Sequence, residues 1–253
     1  MRTHRTRTPK PDMVAAGIGA ENISGFLALP SGGGRHGGVV ALHEWWGLND
    51  WVKMQATNLA ANGYVVIAVD FYQGTVTYNP SEARKLKRAL PDDRAIRDMK
   101  AAFHYLATRP DVDPKHIGSI GWSMGGGFAI QLAIHEARLA ACVVNYGALP
   151  TDLVDVKRIN AQVLVNCGAR DRGILPSKVR AFETLMKAAG QSADIKIYSG
   201  AGHAFENPGS SGYRPEAAAD EWRRTLAFFA QTIKFKKRKV ACDGMRREKR
   251  VAT

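Results

Sequence analysis

His116-Ile117-Gly118-Ser119-Ile120-Gly121-Trp122-Ser123-Met124-Gly125-Gly126-Gly127 is the stretch from which the rest of the chain can be read. The apolar residues over 116–120 predict a short strand, and the residues over 123–135 predict a helix. Gly121-x-Ser123-x-Gly125 therefore falls on the turn between them. A serine held on so sharp a turn has a strained backbone, and side chains on its neighbours would strike the adjacent strand and helix. Glycine at 121 and 125 removes those side chains. The helix start also presents N–H groups without acceptors, that of Met124 among them, which can receive a developing oxyanion. Taken alone the glycine–serine–glycine pattern is weak. With a strand before it and a helix after it, it marks Ser123 as a nucleophile.

A serine hydroxyl needs a base, and the base needs an orienting acid. Nucleophile, acid and histidine follow one another along chains built on this kind of turn. The acid candidate is Asp171, in Cys167-Gly168-Ala169-Arg170-Asp171-Arg172, just past the carboxyl end of a strand expected over 162–167. Open α/β sheets carry their sites at that end of the strands. Asp194, at the start of a strand, is the weaker alternative, and pairing with Arg170 or Arg172 is the purely structural reading of Asp171. The base candidate is His203, in Gly200-Ala201-Gly202-His203-Ala204-Phe205, where flanking glycine lets the loop approach the serine. Of the other histidines only His43 competes, since it ends a strand beside Glu44.

Outward from this turn, apolar runs alternate with amphipathic ones. Strands are expected over 23–29, 38–43, 64–69, 116–120, 140–146, 162–167 and 194–198. Helices are expected over about 50–61, 81–90, 92–108, 123–135, 176–189 and 215–233, with Asn49 or Asp50 capping the first. The run over 64–69 is continuous and β-branched, as in a strand buried on both faces. Alternation with short links predicts an α/β fold, a mostly parallel sheet with helices on both faces. The chain divides into a domain over 21–235 and basic tails over 1–20 and 236–253.

The chain has 253 residues, 45% hydrophobic and 23% charged, which excludes disorder throughout. It contains no apolar run of membrane-spanning length. Its net charge of +13 suggests nucleic acid until it is located. Residues 1–10 hold four bases and no acid, and residues 234–253 hold nine bases against Asp243 and Glu248, which leaves the body nearly neutral. A basic run such as Lys234-Phe235-Lys236-Lys237-Arg238-Lys239 is more often a solvated tail than a phosphate-binding element. No specific nucleic-acid or membrane partner is expected. Cys142, Cys167 and Cys242 form no paired framework, and the N-terminal stretch makes a poor secretion signal. Together they point to a reducing, cytoplasmic compartment.

With these residues in view, the chain resembles the dienelactone hydrolases of the α/β-hydrolase fold. The likeness runs from about 23 to 233. It rests on His43-Glu44-Trp45-Trp46-Gly47, Asp70-Phe71-Tyr72, the turn over 121–127, Asp171, and Gly202-His203-Ala204-Phe205 followed by Ser210-Ser211-Gly212-Tyr213. It implies a Ser123–His203–Asp171 triad, an oxyanion hole formed by the N–H groups of Met124 and Trp45, and no cofactor or metal. Two departures matter. Family members usually carry cysteine at the nucleophile position, where a glutamate matching Glu44 helps keep the thiol protonated. With Ser123 in its place, Glu44 either orients the site or only holds a loop. Members acting on dienelactone grip its carboxylate with arginines at positions that correspond here to Gly74 and Asn207, neither of them cationic.

The expected substrate is therefore a small uncharged ester or lactone, in a pocket drawn from Glu44, Trp46, Tyr72, Trp122 and Phe205. The protein acting on it is expected to be a monomer or a homodimer. A carboxymethylenebutenolidase proper, a thioesterase on the same site, and a serine-substituted hydrolase that binds without turnover are the alternatives. A peptidase would need a gating domain that this length does not hold, and dehalogenases of this fold place aspartate where Ser123 stands.

Overall fold

The structure is a computed structural model that describes residues 12–18 and 21–235, with side chains from Ser24 onward. Its elements in chain order are β1 (Asp12–Ile18), β2 (Glu21–Ala28), β3 (His36–Leu42), α1 (Asp50–Ala61), β4 (Tyr64–Val69), α2 (Pro80–Ala89), α3 (Asp92–Thr108), β5 (Val112–Trp122), α4 (Met124–His135), β6 (Ala141–Asn145), α5 (Leu153–Lys157), β7 (Gln162–Gly168), α6 (Pro176–Ala188), β8 (Ala193–Tyr198) and α7 (Pro215–Thr232). The strands form one sheet of eight in the order β1-β2-β4-β3-β5-β6-β7-β8. From β4 to β8 every pairing is parallel, while β2 joins β4 antiparallel and β1 joins β2 antiparallel.

The period of two along each strand sorts the core into two layers. Val40 and Leu42 of β3, with Val65, Ile67 and Val69 of β4, point to the layer that packs Met99, Phe103 and Leu106 of α3, Ile130 of α4 and Phe182 of α6. Their neighbours Val39, Ala41, Val66 and Ala68 point to the other layer, against Val52, Ala56 and Leu59 of α1 and Phe229 of α7. Strands covered on both faces need apolar residues at every position, which is why the run over 64–69 shows no alternation in its composition.

Local signals act where the sequence places them. Asn49, rather than Asp50, caps α1, its side chain accepting from the Val52 N–H at 3.2 Å. Pro80, Pro176 and Pro215 each open a helix, where a missing N–H costs nothing.

Two segments differ from expectation. Residues 12–18, assigned above to a basic tail, form the edge strand β1, paired from Asp12 opposite Leu27 to Ile18 opposite Glu21. Their small apolar run has little strand signal of its own, and its conformation comes from the free edge of β2. The short helix α5 was not anticipated, because five residues are too few to show a helical period. The basic segment over 236–253, and Cys242 with it, lies outside the described residues. Among the described residues no helix is long and apolar enough to cross a membrane.

Candidate active site

The candidate residues all follow the carboxyl ends of parallel strands. Glu44, Trp45 and Trp46 follow β3, Ser123 follows β5, Tyr146 follows β6, Asp171 follows β7 and His203 follows β8. Ser123 sits at φ 55° and ψ −112°, a conformation that a residue with a Cβ rarely adopts. Two glycines make room for it. A Cβ on Gly121 would run into the Gly125 carbonyl, and one on Gly125 into the Leu42 carbonyl. The turn is pinned on the sheet side by Ser123, whose N–H donates to the Asn145 carbonyl at 2.9 Å.

The structure brings Ser123, His203 and Asp171 into one hydrogen-bonded chain. Ser123 Oγ lies 2.8 Å from His203 Nε2, and His203 Nδ1 lies 2.8 Å from Asp171 Oδ2. Asp171 is buried, and its Oδ1 accepts from the N–H groups of Gly173 and Ile174, each at 2.8 Å. Burial alone would raise its pKa, but the His203 ring and these N–H groups outweigh it and hold the carboxyl below its usual range. Its partners are thus His203 and its own turn, not Arg170 or Arg172. Asp194 is exposed at the sheet edge and accepts from Arg224.

His43, the competing base, is fully buried and engaged at both nitrogens. Its Nε2 accepts from the Phe71 N–H at 3.2 Å, so Nδ1 carries the hydrogen and donates to the Glu44 carbonyl. Burial pulls its pKa down to about 4. It therefore ties the ends of β3 and β4 together as a neutral ring. The Glu44 carboxyl is also buried, which raises its pKa, and Oε2 accepts from Asn207 Nδ2 at 2.8 Å.

A cleft of about 1770 Å³ opens over Ser123 and His203 and is bordered by Glu44, Trp45, Trp46, Met124 and Tyr146. The Trp45 and Trp46 rings stack at a tilt, 4.8 Å apart. A second cavity of about 360 Å³ lies beside it, sharing Ala148, Leu149, Gly173 and Ile174 as lining and bordered also by Phe182 and Leu185 of α6.

Three aromatic residues expected in the pocket belong to the core instead. Trp122 is buried beneath the turn, with its ring edge-on to Trp51 at 5.3 Å and its N–H given to Glu206. Phe205 packs between Tyr146 and Tyr198. Tyr72 is buried against His43 and donates its hydroxyl to Met124 Sδ at 3.4 Å. In each case strand and loop residues alternate between the cleft and the layer beneath it, so nearness in sequence does not say which side a ring takes. Conversely, sequence reasoning missed Tyr146, whose fully buried ring lies edge-on to His203 at 5.2 Å with φ at 40°. It also missed the buried acids Glu206 and Glu221. No sequence motif marks these residues, because their burial comes from packing between distant segments.

The mostly parallel sheet covered on both faces, with its nucleophile turn after β5, is an α/β-hydrolase fold. A family model described as "Dienelactone hydrolase family" matches residues 23–233, and the chain belongs to that family of hydrolases. A Bradyrhizobium protein named "Probable 2-oxo-3-(5-oxofuran-2-ylidene)propanoate lactonase" is 30% identical over 236 residues, covering 88% of this chain and 95% of its own length. "Protein usf" of Aquifex pyrophilus is 30% identical over 219 residues, covering 83% of this chain and 94% of its own. Among solved structures, a dienelactone hydrolase-like promiscuous phosphotriesterase from metagenomic libraries superposes with a TM-score of 0.81 at 25% identity, covering 90% of this chain and all of that one.

Proposed function

We propose that the chain hydrolyses small uncharged carboxylic esters or lactones through an acyl-enzyme on Ser123. The observation that carries this reading is the hydrogen-bonded chain from Ser123 through His203 to buried Asp171, placed at the floor of an aromatic-walled cleft. In the first half-reaction His203 Nε2 takes the Ser123 hydroxyl proton as Oγ bonds to the ester carbonyl carbon. Asp171 holds the ring with hydrogen on Nδ1 and stabilises the imidazolium that forms. The carbonyl oxygen, now negative, is received by the N–H groups of Met124 and Trp45. The C–O bond to the alcohol breaks and His203 returns the proton to the departing oxygen. A water then repeats the sequence on the acyl-enzyme, with His203 again as base, and frees the acid.

The preference for uncharged substrates is supported by Gly74 and by Asn207, whose amide is already committed to Glu44. A second reading, a lactone bearing a carboxylate, is favoured by Arg170 and Arg172, which border the cleft. It is also the chemistry in the Bradyrhizobium relative's name, a propanoate lactonase.

The test is hydrolysis of p-nitrophenyl acetate, butyrate and octanoate, with a succinate half-ester as the anionic counterpart. The Ser123→Ala variant is expected to lose at least about 10³-fold in kcat. The neutral esters are expected to exceed the anionic one in kcat/KM; the reverse order would favour the carboxylate-bearing lactone. Hydrolysis that survives Ser123→Ala would refute the serine mechanism. An inactive parent rescued by Ser123→Cys would identify a thiol site.

A further inference from the structure

Below Ser123 and His203 lies a set of buried polar side chains that the proposed chemistry does not use. Glu206 and Glu221 are only 5% and 1% exposed. Glu206 Oε2 accepts from Trp122 Nε1 at 2.8 Å and from Asn145 Nδ2 at 3.3 Å. Glu221 Oε1 accepts from Thr225 Oγ1 at 2.5 Å and from Asn166 Nδ2 at 3.2 Å. The two carboxyl groups neighbour each other, and Glu206 Oε1 meets no N–H or O–H donor. Ionised carboxyls are acceptors only, so two of them buried side by side repel unless one carries a proton. The neighbours decide which. Arg224 lies by Glu221 and favours its charge, whereas Glu44 lies by Glu206 and opposes it. The hydrogen therefore belongs on Glu206, whose Oε1 is the oxygen that accepts from no donor and is free to offer it to Glu221.

The partners of Glu206 give this proton its meaning. Trp122 immediately precedes the nucleophile, the Asn145 carbonyl holds the Ser123 N–H, and Glu206 itself stands three residues beyond His203. Resting on the reading of Ser123 and His203 given above, we infer that Glu206 is a positioning residue. As a neutral acid sharing one proton with Glu221, it holds the nucleophile turn through Trp122 and Asn145 and anchors the His203 loop to α7.

The arrangement is sensitive to alkali. The titratable groups facing the pair are Glu44 after β3, Tyr146 after β6, Tyr198 at the end of β8 and Arg224 on α7. Acids outnumber cations among them, so loss of the shared proton leaves two buried carboxylates in repulsion. Burial first, and then each other's charge, keep the Glu206 carboxyl protonated above the usual range. The folded chain thus retains a proton that the unfolded chain has released. The stability that this proton provides is complete at acid pH and is lost as pH rises through the folded value. Glutamine at 206 would keep both bonds without a proton to lose, its amide donating to Glu221 and its oxygen accepting from Trp122.

The experiment compares the full chain with Glu206→Gln and Glu206→Leu between pH 6 and 10. It reads kcat and KM, Tm, and the indole N–H resonance of Trp122, assigned by its disappearance in Trp122→Phe. At pH 7 Glu206→Gln is expected to keep kcat within about threefold, and Glu206→Leu to lose about tenfold or more with KM little changed. The Trp122 resonance should shift with pH in the parent and stay constant in Glu206→Gln, whose kcat and Tm should also persist to higher pH. A Trp122 resonance that does not titrate, or identical alkaline behaviour in parent and Glu206→Gln, would overturn the shared proton. Full kcat in Glu206→Leu would overturn the positioning role. If Ser123→Ala retains activity, the hydrolytic reading fails instead, while the indole titration still decides whether the proton is shared.

Discussion

His43 is a residue whose chemistry can be mistaken from its neighbours. It ends a strand beside an acid, as a catalytic base would, yet its ring is closed off and bonded at both nitrogens. Because burial depresses its folded pKa to about 4 from 6.5, the unfolded chain binds more protons between those values. Stability from this residue is therefore present above about pH 6.5 and drains away as the pH falls toward 4, by about 3 kcal/mol in all. His43→Asn, which keeps a donor for the Glu44 carbonyl, should lose about that much less than the parent in urea unfolding between pH 7 and 4. Equal losses in both would mean that the ring is not held neutral. Ser123, Asp171 and His203 were legible in sequence because each lies just past a strand end and within two residues of a glycine, a position that motif and pattern specify together. Glu206 and Glu221 were not. An acid in a loop and an acid on an amphipathic helix look solvated until the layers that bury them are assembled.

Among elements, the contact of α4 with the β3 end sets the nucleophile turn. Gly125 lies where the helix start meets the Leu42 carbonyl, which is backbone and has no rotamer with which to yield. Gly125→Ala must therefore push the turn off the sheet. The expected cost is about 1–3 kcal/mol in urea unfolding, with kcat falling by at least about tenfold because Ser123 moves with its helix. Unchanged unfolding and turnover would mean that the turn has slack. The parallel strands and long helices were readable from their periods to within a few residues. The edge strand β1 and the five-residue α5 were not, since one takes its form from a partner and the other is shorter than two turns.

At the scale of the molecule, the described residues that line the cleft all lie between Glu44 and Gly212, and α7 closes the layer behind it. The basic charge concentrated over 236–253 lies outside the described residues. Ending the chain after Phe235 should leave kcat/KM for p-nitrophenyl butyrate within about twofold and should lower retention on heparin. A collapse of turnover would show that the terminal segment contributes to the site. The sequence already separated this charge from the body, because net charge is additive along a chain. It could not show the size of the cleft or the smaller cavity beside it, since volumes depend on how separate loops face one another.

The non-glycine residues with positive φ among those described are Gln73, Ser123, Tyr146 and Ala204. Three of them border the cleft. Conformations of this kind cost on the order of 1–3 kcal/mol each, a sum comparable with a sizeable part of a domain's net stability. The site is thus the part of the fold with most to gain from change. Selection of variants for heat resistance alone would find its readiest improvements at these positions, and a thermostable descendant obtained that way would tend to be a quieter catalyst than its parent.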